Sequence, residues 1–179
     1  AIGSIKLAEA ENWARLAIDN LIEEKGAVLL MPGRQSEKED FIATVIRALR
    51  ELVGHLQSAE VVKVQMEEDL AGKFIGGGVR GTVDLIATNA RGECAIVDIK
   101  WGGFDYRRKT LVESRYLQLA IYAQLAHPVL KRWPALGYFI IRDARMLVLD
   151  NPYFPSAVIE RPENGESLLE FWQRAEKTW

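Results

Sequence analysis

The sequence predicts an α/β fold in which a small mixed β-sheet is flanked by helices. Three observations carry this. "VVKVQMEEDL" (61–70) alternates Val62, Val64 and Met66 with Lys63, Gln65 and Glu67, the period of a half-buried strand. "VRGTVDLIA" (79–87) and "CAIVDIKW" (94–101) are apolar runs joined by the polar "TNARGE" with Gly92, the pattern of an antiparallel hairpin. Segments with helical apolar spacing stand on both sides of this strand block.

In chain order the elements read α, α, β, β, β, α, β, α. A first helix over 4–25 places Leu7, Trp13, Leu16, Ala17 and Leu21 at helical spacing and stops at Gly26. A second opens with Ser36 and Glu39 in capping-box spacing and runs through Phe41, Val45, Leu49 and Leu52 to about Leu56. The first strand follows, then "AGKFIGGG" (71–78) as a loose connection, then the hairpin. "LVESRYLQLAIYAQLAHPVLKRW" (111–133) is expected to be one helix closing near His127–Pro128. "GYFIIRDARMLVLD" (137–150) supplies one or two further strands, and "GESLLEFWQRAEKTW" (165–179) a last amphipathic helix.

Composition narrows the function classes. The chain has 179 residues, 49% hydrophobic and 27% charged, which suits one domain with its own core. With 23 Lys+Arg against 25 Asp+Glu and a net charge of −2, any polyanion must be met by a local basic patch. The single Cys94 forms no internal disulfide and cannot supply a four-cysteine zinc or iron–sulfur site, so no iron–sulfur cluster is expected. No apolar run approaches the ~20 residues of a membrane span, and "AIGSIKLAEAENW" lacks a signal-peptide pattern. A cytoplasmic protein without a membrane partner is expected. The absent initiator Met suggests processing, or a domain cut from a longer protein.

The chemistry concentrates in "AIVDIKWGG" (95–103). Strand alternation puts Asp98 and Lys100 on one face with Ile96, while Val97, Ile99 and Trp101 take the other. Charged side chains are rarely buried unless paired. Asp84 belongs to the neighbouring strand, so Asp84, Asp98 and Lys100 can converge where two central strands end. Two carboxylates suit hard divalent cations such as Mg²⁺ or Mn²⁺, the backbone carbonyl of Ile99 is a natural further ligand, and a lysine beside them can orient or deprotonate water and stabilise an oxyanion. Phosphodiester hydrolysis needs that set.

"GTVDL" (81–85) followed by "VDIK" (97–100) resembles the core of the PD-(D/E)XK nuclease superfamily. "YLQLAIY" (116–122) adds Gln118-x-x-x-Tyr122, the further motif of its RecB-like branch, which includes AddB-type exonuclease domains. The matching region covers about 60–150. The resemblance implies a restriction-endonuclease-like core, Asp84 and Asp98 as metal ligands, Lys100 as the catalytic lysine, and Gln118 and Tyr122 along the DNA path. It further implies a metal-dependent deoxyribonuclease, an exonuclease module working beside a helicase in DNA repair or recombination. The family's upstream helical histidine, another metal ligand, has its counterpart only in His55, at the end of its helix rather than near the start.

The remaining candidates are read from the residues alone. Arg115, Gln118 and Tyr122 are spaced to share one helix face toward the site. Arg107, Arg108 and Lys109, past Gly102–Gly103, form a basic cluster that grips phosphates or is a solvated face. Glu67 and Glu68 add a carboxylate or end a strand in solvent, and Trp101 stacks on a base or belongs to the core. Two other functions fit the same residues: the fold kept as a DNA-binding or scaffold module without catalysis, and a protein-interaction domain with no nucleic acid.

Overall fold

The computed structural model describes residues 2–74 and 76–178. Helices α1 (Leu7–Lys25) and α2 (Gln35–Ser58) precede strands β1 (Val61–Phe74), β2 (Gly77–Asn89) and β3 (Cys94–Lys100). Helices α3 (Phe104–Val112) and α4 (Leu117–Leu130), strands β4 (Ala135–Ile140), β5 (Arg145–Leu149) and β6 (Val158–Glu160), and helix α5 (Leu168–Thr178) follow. Among the described residues the strands form one six-stranded sheet in chain order, with β3/β4 and β5/β6 parallel and the other neighbours antiparallel. The mixed α/β architecture is the one the sequence predicts.

The parallel β3/β4 pair is what requires a long crossover, and α3 and α4 provide it. Ile86, Ile96, Leu136, Tyr138, Ile140 and Leu147 face α4 and α5, with Leu119, Ala120, Ala123, Phe171 and Trp172 between them. On the other face Leu85, Val97, Phe139, Met146 and Val148 pack with Ala48 and Leu56 of α2 and with Phe154. The central strands are therefore apolar on both faces, as a covered sheet demands.

Several expectations are corrected. The stripe that α1 buries is Ala14, Ile18 and Ile22, against Ile42 of α2, whereas Trp13 is 70% exposed and Leu16 and Leu21 also face outward. Bulky residues marked the wrong phase of this helix. Of the segment 71–78, residue 75 lies outside the described residues, and the flanking 71–74 and 77–78 are not a loose connection but continue β1 and β2 as a long hairpin. Its glycines permit close approach to α4, since a Cβ on Gly72 would lie 2.7 Å from Leu125 Cδ2 and one on Gly81 would lie 2.7 Å from Tyr122 Cε1. Val62 and Met66 are exposed: the β1/β2 register shifts between Val61 and Lys63, and β1 is the edge strand of the sheet. Ser36 lies inside α2, whose flanking Arg34 makes no side-chain cap. A capping box forms instead at α5, where Ser167 N–H donates to Glu170 Oε2 at 2.8 Å and Glu170 N–H to Ser167 Oγ at 3.3 Å. The helix expected over 111–133 is two helices, broken at Ser114 in left-handed conformation (φ 52°). Pro128 is accommodated within α4, which ends at left-handed Lys131.

Gly137 of β4 sets the spacing to β5, because a Cβ there would stand 2.6 Å from the Leu147 carbonyl oxygen. Gly137→Ala is expected to lower stability by about 1–3 kcal/mol and the thermal midpoint by roughly 3–10 °C. Urea and thermal unfolding check this, and an unchanged midpoint would show that the two strands can part freely.

Candidate active site

β3 is buried from Cys94 through Asp98 and opens to half-burial at Ile99 and Lys100. Asp98 stands beside Tyr138 in the parallel register with β4, and Lys100 beside Ile140. On the other side the ladder pairs Leu85 with Val97, so the next row sets Asp84 beside Asp98. The β2/β3 ladder stops there. Asp84 Oδ2 takes over its role by accepting the Ile99 N–H at 2.6 Å, which pins the carboxylate to the strand end.

Asp98 is only 1% exposed. Lys100 Nζ lies 2.7 Å from its Oδ2, with the lysine side chain 27% exposed. The ammonium approaches off the hydrogen-bonding direction, so this buried oxygen has charge compensation but no aligned donor. Arg107 reaches the same region from α3, with its guanidinium 5.4 Å from the Tyr138 ring centroid and 5.1 Å from that of Tyr106. Burial raises the Asp98 carboxyl above its ordinary value, and the Asp84 charge adds to this. Lys100 and, more weakly, Arg107 act in the opposite sense. Burial and then the Asp98 charge push the Tyr138 phenol up to about 12.

The structure thus brings Asp84, Asp98 and Lys100 together, and Gln118 and Tyr122 stand on α4, which covers the same sheet face. Gln118 Nε2 donates to Tyr122 Oη at 3.0 Å, and the tyrosine ring rests on Gly81, three residues before Asp84. Other candidates go elsewhere. Arg115 precedes α4 and turns back to pair with Glu113, so it does not share a helix face with Gln118 and Tyr122. The basic run disperses around α3: Arg108 Nε bonds Glu160 Oε1 at 2.6 Å, Lys109 lies 3.5 Å from Glu113, and Arg107 turns inward. His55 is buried on the opposite side of the sheet, with Nδ1 2.8 Å from Ser156 Oγ and its ring edge-on to Phe154. Trp101 stacks on Phe41 of α2 at 5.5 Å between centroids. Glu67 falls in the row beside Asp84 but takes φ 51° and is exposed.

No group of three or more Asp, Glu, His or Cys side chains converges into a metal cage among the described residues. Two aspartates and a backbone carbonyl nevertheless suit Mg²⁺, which usually keeps several waters and is held by one or two carboxylates plus substrate phosphate. The Asp98 oxygen without an aligned donor, approached only by an ammonium, is an acceptor that a cation can take up. Sequence reasoning missed Tyr138 and the inward turn of Arg107. Tyr138 could have been found by aligning "GYFII" with "IVDIK" as parallel neighbours, but the direction of Arg107 had no local signal. No family model and no curated protein matches the chain.

The raised Asp98 value means that the folded state binds this proton more tightly than the unfolded chain does. Its contribution to stability is then greatest below the ordinary value of 3.8 and falls as pH rises through the folded value. In chelator, Asp98→Asn is expected to be more stable than wild type at neutral pH, since Lys100 at the rim can turn to water, and to lose that advantage at about pH 4 and below. Urea denaturation across pH measures this, and a variant less stable than wild type at neutral pH would contradict it.

Proposed function

We propose that the chain is a metal-dependent deoxyribonuclease domain of the PD-(D/E)XK type, an exonuclease module acting with a helicase in DNA repair or recombination. The observation that carries this reading is the placement of Asp84 and Asp98 in one row, with Lys100 two residues on along β3, where the β2/β3 ladder ends. Support comes also from the crossover helix after β3, which presents the bonded Gln118–Tyr122 pair on the same face.

In this reading Asp84, Asp98 and the Ile99 carbonyl hold Mg²⁺ or Mn²⁺, which when bound supplies hydroxide and offsets charge on the scissile phosphate. Asp84 is held by the Ile99 N–H, so its carboxylate needs little reorganisation to act. Lys100 orients the attacking water, assists its deprotonation and stabilises charge gathering on the phosphate oxygens. Tyr138, beside Asp98 in the parallel register, and Arg107, against the Tyr138 ring, touch no substrate in this scheme. Gln118 and Tyr122 line the path of the strand. A second reading, a DNA-binding module without catalysis, draws support from the small carboxylate set.

End-labelled linear DNA incubated with and without Mg²⁺ or Mn²⁺ separates the two readings. Metal-dependent shortening is expected, abolished in Asp84→Ala and Asp98→Ala and reduced by on the order of 10² or more in Lys100→Ala. Lys100→Ala within a few-fold of wild type would make the lysine structural, and bound but intact DNA in every metal would leave the module non-catalytic.

A further inference from the structure

Seven of the fourteen arginines, Arg108, Arg161 and Arg174 among them, are each tied to a carboxylate. Of those without an ion pair among the described residues, Arg15, Arg80, Arg107 and Arg132 stand apart from one another along the chain, whereas Arg47, Arg142 and Arg145 gather where β3 and β4 end and β5 begins. Arg145 pairs with Ile140 across β4/β5, and Ile140 with Lys100 across β3/β4. Arg145 therefore lies in the same row and on the same face as Lys100, two strands and about 10 Å away.

The three guanidinium groups are held by contacts that leave most of their donors unspent. Arg145 Cζ sits 3.8 Å from the centroid of the Phe104 ring. The Arg142 guanidinium lies over Gly102, where a Cβ would come within 3.3 Å of its Cζ, and its backbone N–H donates to the Trp101 carbonyl at 2.8 Å. Arg47 spends one donor on the Arg142 carbonyl at 2.7 Å, which joins α2 to the same turn. Asp143, between Arg142 and Arg145 in sequence, forms an ion pair with neither among the described residues. Each guanidinium has five N–H donors in a fork that matches phosphate, and fixing it in advance lowers the entropy lost on binding.

We infer that Arg47, Arg142 and Arg145 form the phosphate-gripping rim of this site, guiding a DNA backbone over the β4–β5 turn toward Lys100, a role the sequence suggested for Arg107, Arg108 and Lys109. The inference rests on the proposed nuclease reading for its ligand, but it concerns binding and not cleavage. On a chain with net charge −2, such a local cluster is what a polyanion requires.

The test is fluorescence anisotropy of labelled duplex and single-stranded DNA in EDTA, over a range of salt, on wild type, Arg142→Gln, Arg145→Gln and the triple Arg47→Gln, Arg142→Gln, Arg145→Gln variant. Each single change is expected to make the slope of log affinity against log salt shallower by roughly 0.7–0.9, and the triple variant by about two to three. Arg142→Lys should keep the wild-type slope, which separates lost charge from lost fold, and Arg161→Gln on the far surface should leave it unchanged. Wild-type slopes in the single and triple variants, an equal loss in Arg161→Gln, or no DNA binding by wild type would overturn the rim. A wild type that binds with these slope changes yet never cleaves with Mg²⁺ or Mn²⁺ would defeat the nuclease reading and sustain the rim. A wild type that cleaves while the arginine variants keep its slope would do the reverse.

Discussion

The arrangement at the top of the sheet depends on one buried carboxylate. Asp98 sits in a central strand with 1% of its surface in contact with solvent, where an ionised group is tolerated only with opposite charge close by. Lys100 supplies that charge from two residues along the same face, and Arg107 adds to it from the helix that follows. Lys100 is the last residue of β3, and Arg107, inward on α3 and over the Tyr138 ring, follows the Gly102–Gly103 turn, where Gly103 takes φ 86°. A buried pair of this kind gives little stability compared with apolar residues of similar volume. Its presence at a strand end, with a perturbed carboxyl and an oxygen lacking an aligned donor, fits a site better than a scaffold.

The neighbouring elements bring second and third groups to this carboxylate by backbone means. β2 stops pairing with β3 after Leu85–Val97, and Asp84 closes the gap by accepting the Ile99 N–H. The same departure lets the β1/β2 hairpin bend over α4, where Gly72 and Gly81 make room for Leu125 and Tyr122. Tyr122 thereby rests on Gly81, three residues before Asp84 along β2, and is bonded to Gln118. Across the sheet the β4–β5 turn carries Arg142 and Arg145, so acidic and basic groups occupy neighbouring rows of one strand-end surface.

Features governed by short-range periodicity were legible in the sequence. The hairpin, the shared face of Asp98 and Lys100 and the neighbouring position of Asp84 follow from alternation and turn chemistry, and the structure has them. Gln118 and Tyr122 likewise meet because four residues make one helical turn. What was not legible depends on partners distant in sequence. Arg108 is claimed by Glu160, 52 positions on, and His55 by Ser156, 101 positions on. Arg115 fails to join the helix face because the chain breaks at Ser114, where φ is 52°, a conformation its residue type does not announce. In α1 the small Ala14 goes inward with Ile18 and Ile22 against Ile42 of α2, while Trp13 stays out. Gly72 read as part of a loose connection although it lies in β1 and serves packing against Leu125 of α4, an element some forty residues later in the chain.

The claim on which the account turns is that Asp84 and Asp98 together form a divalent-cation site. Calorimetric titration of the purified protein with Mn²⁺ addresses it without reference to any nucleic acid. Binding is expected in wild type, absent in Asp84→Ala and in Asp98→Ala, and retained in Lys100→Ala, where the cation no longer competes with an ammonium for Asp98 Oδ2. Mn²⁺ binding unchanged in both aspartate variants would contradict it.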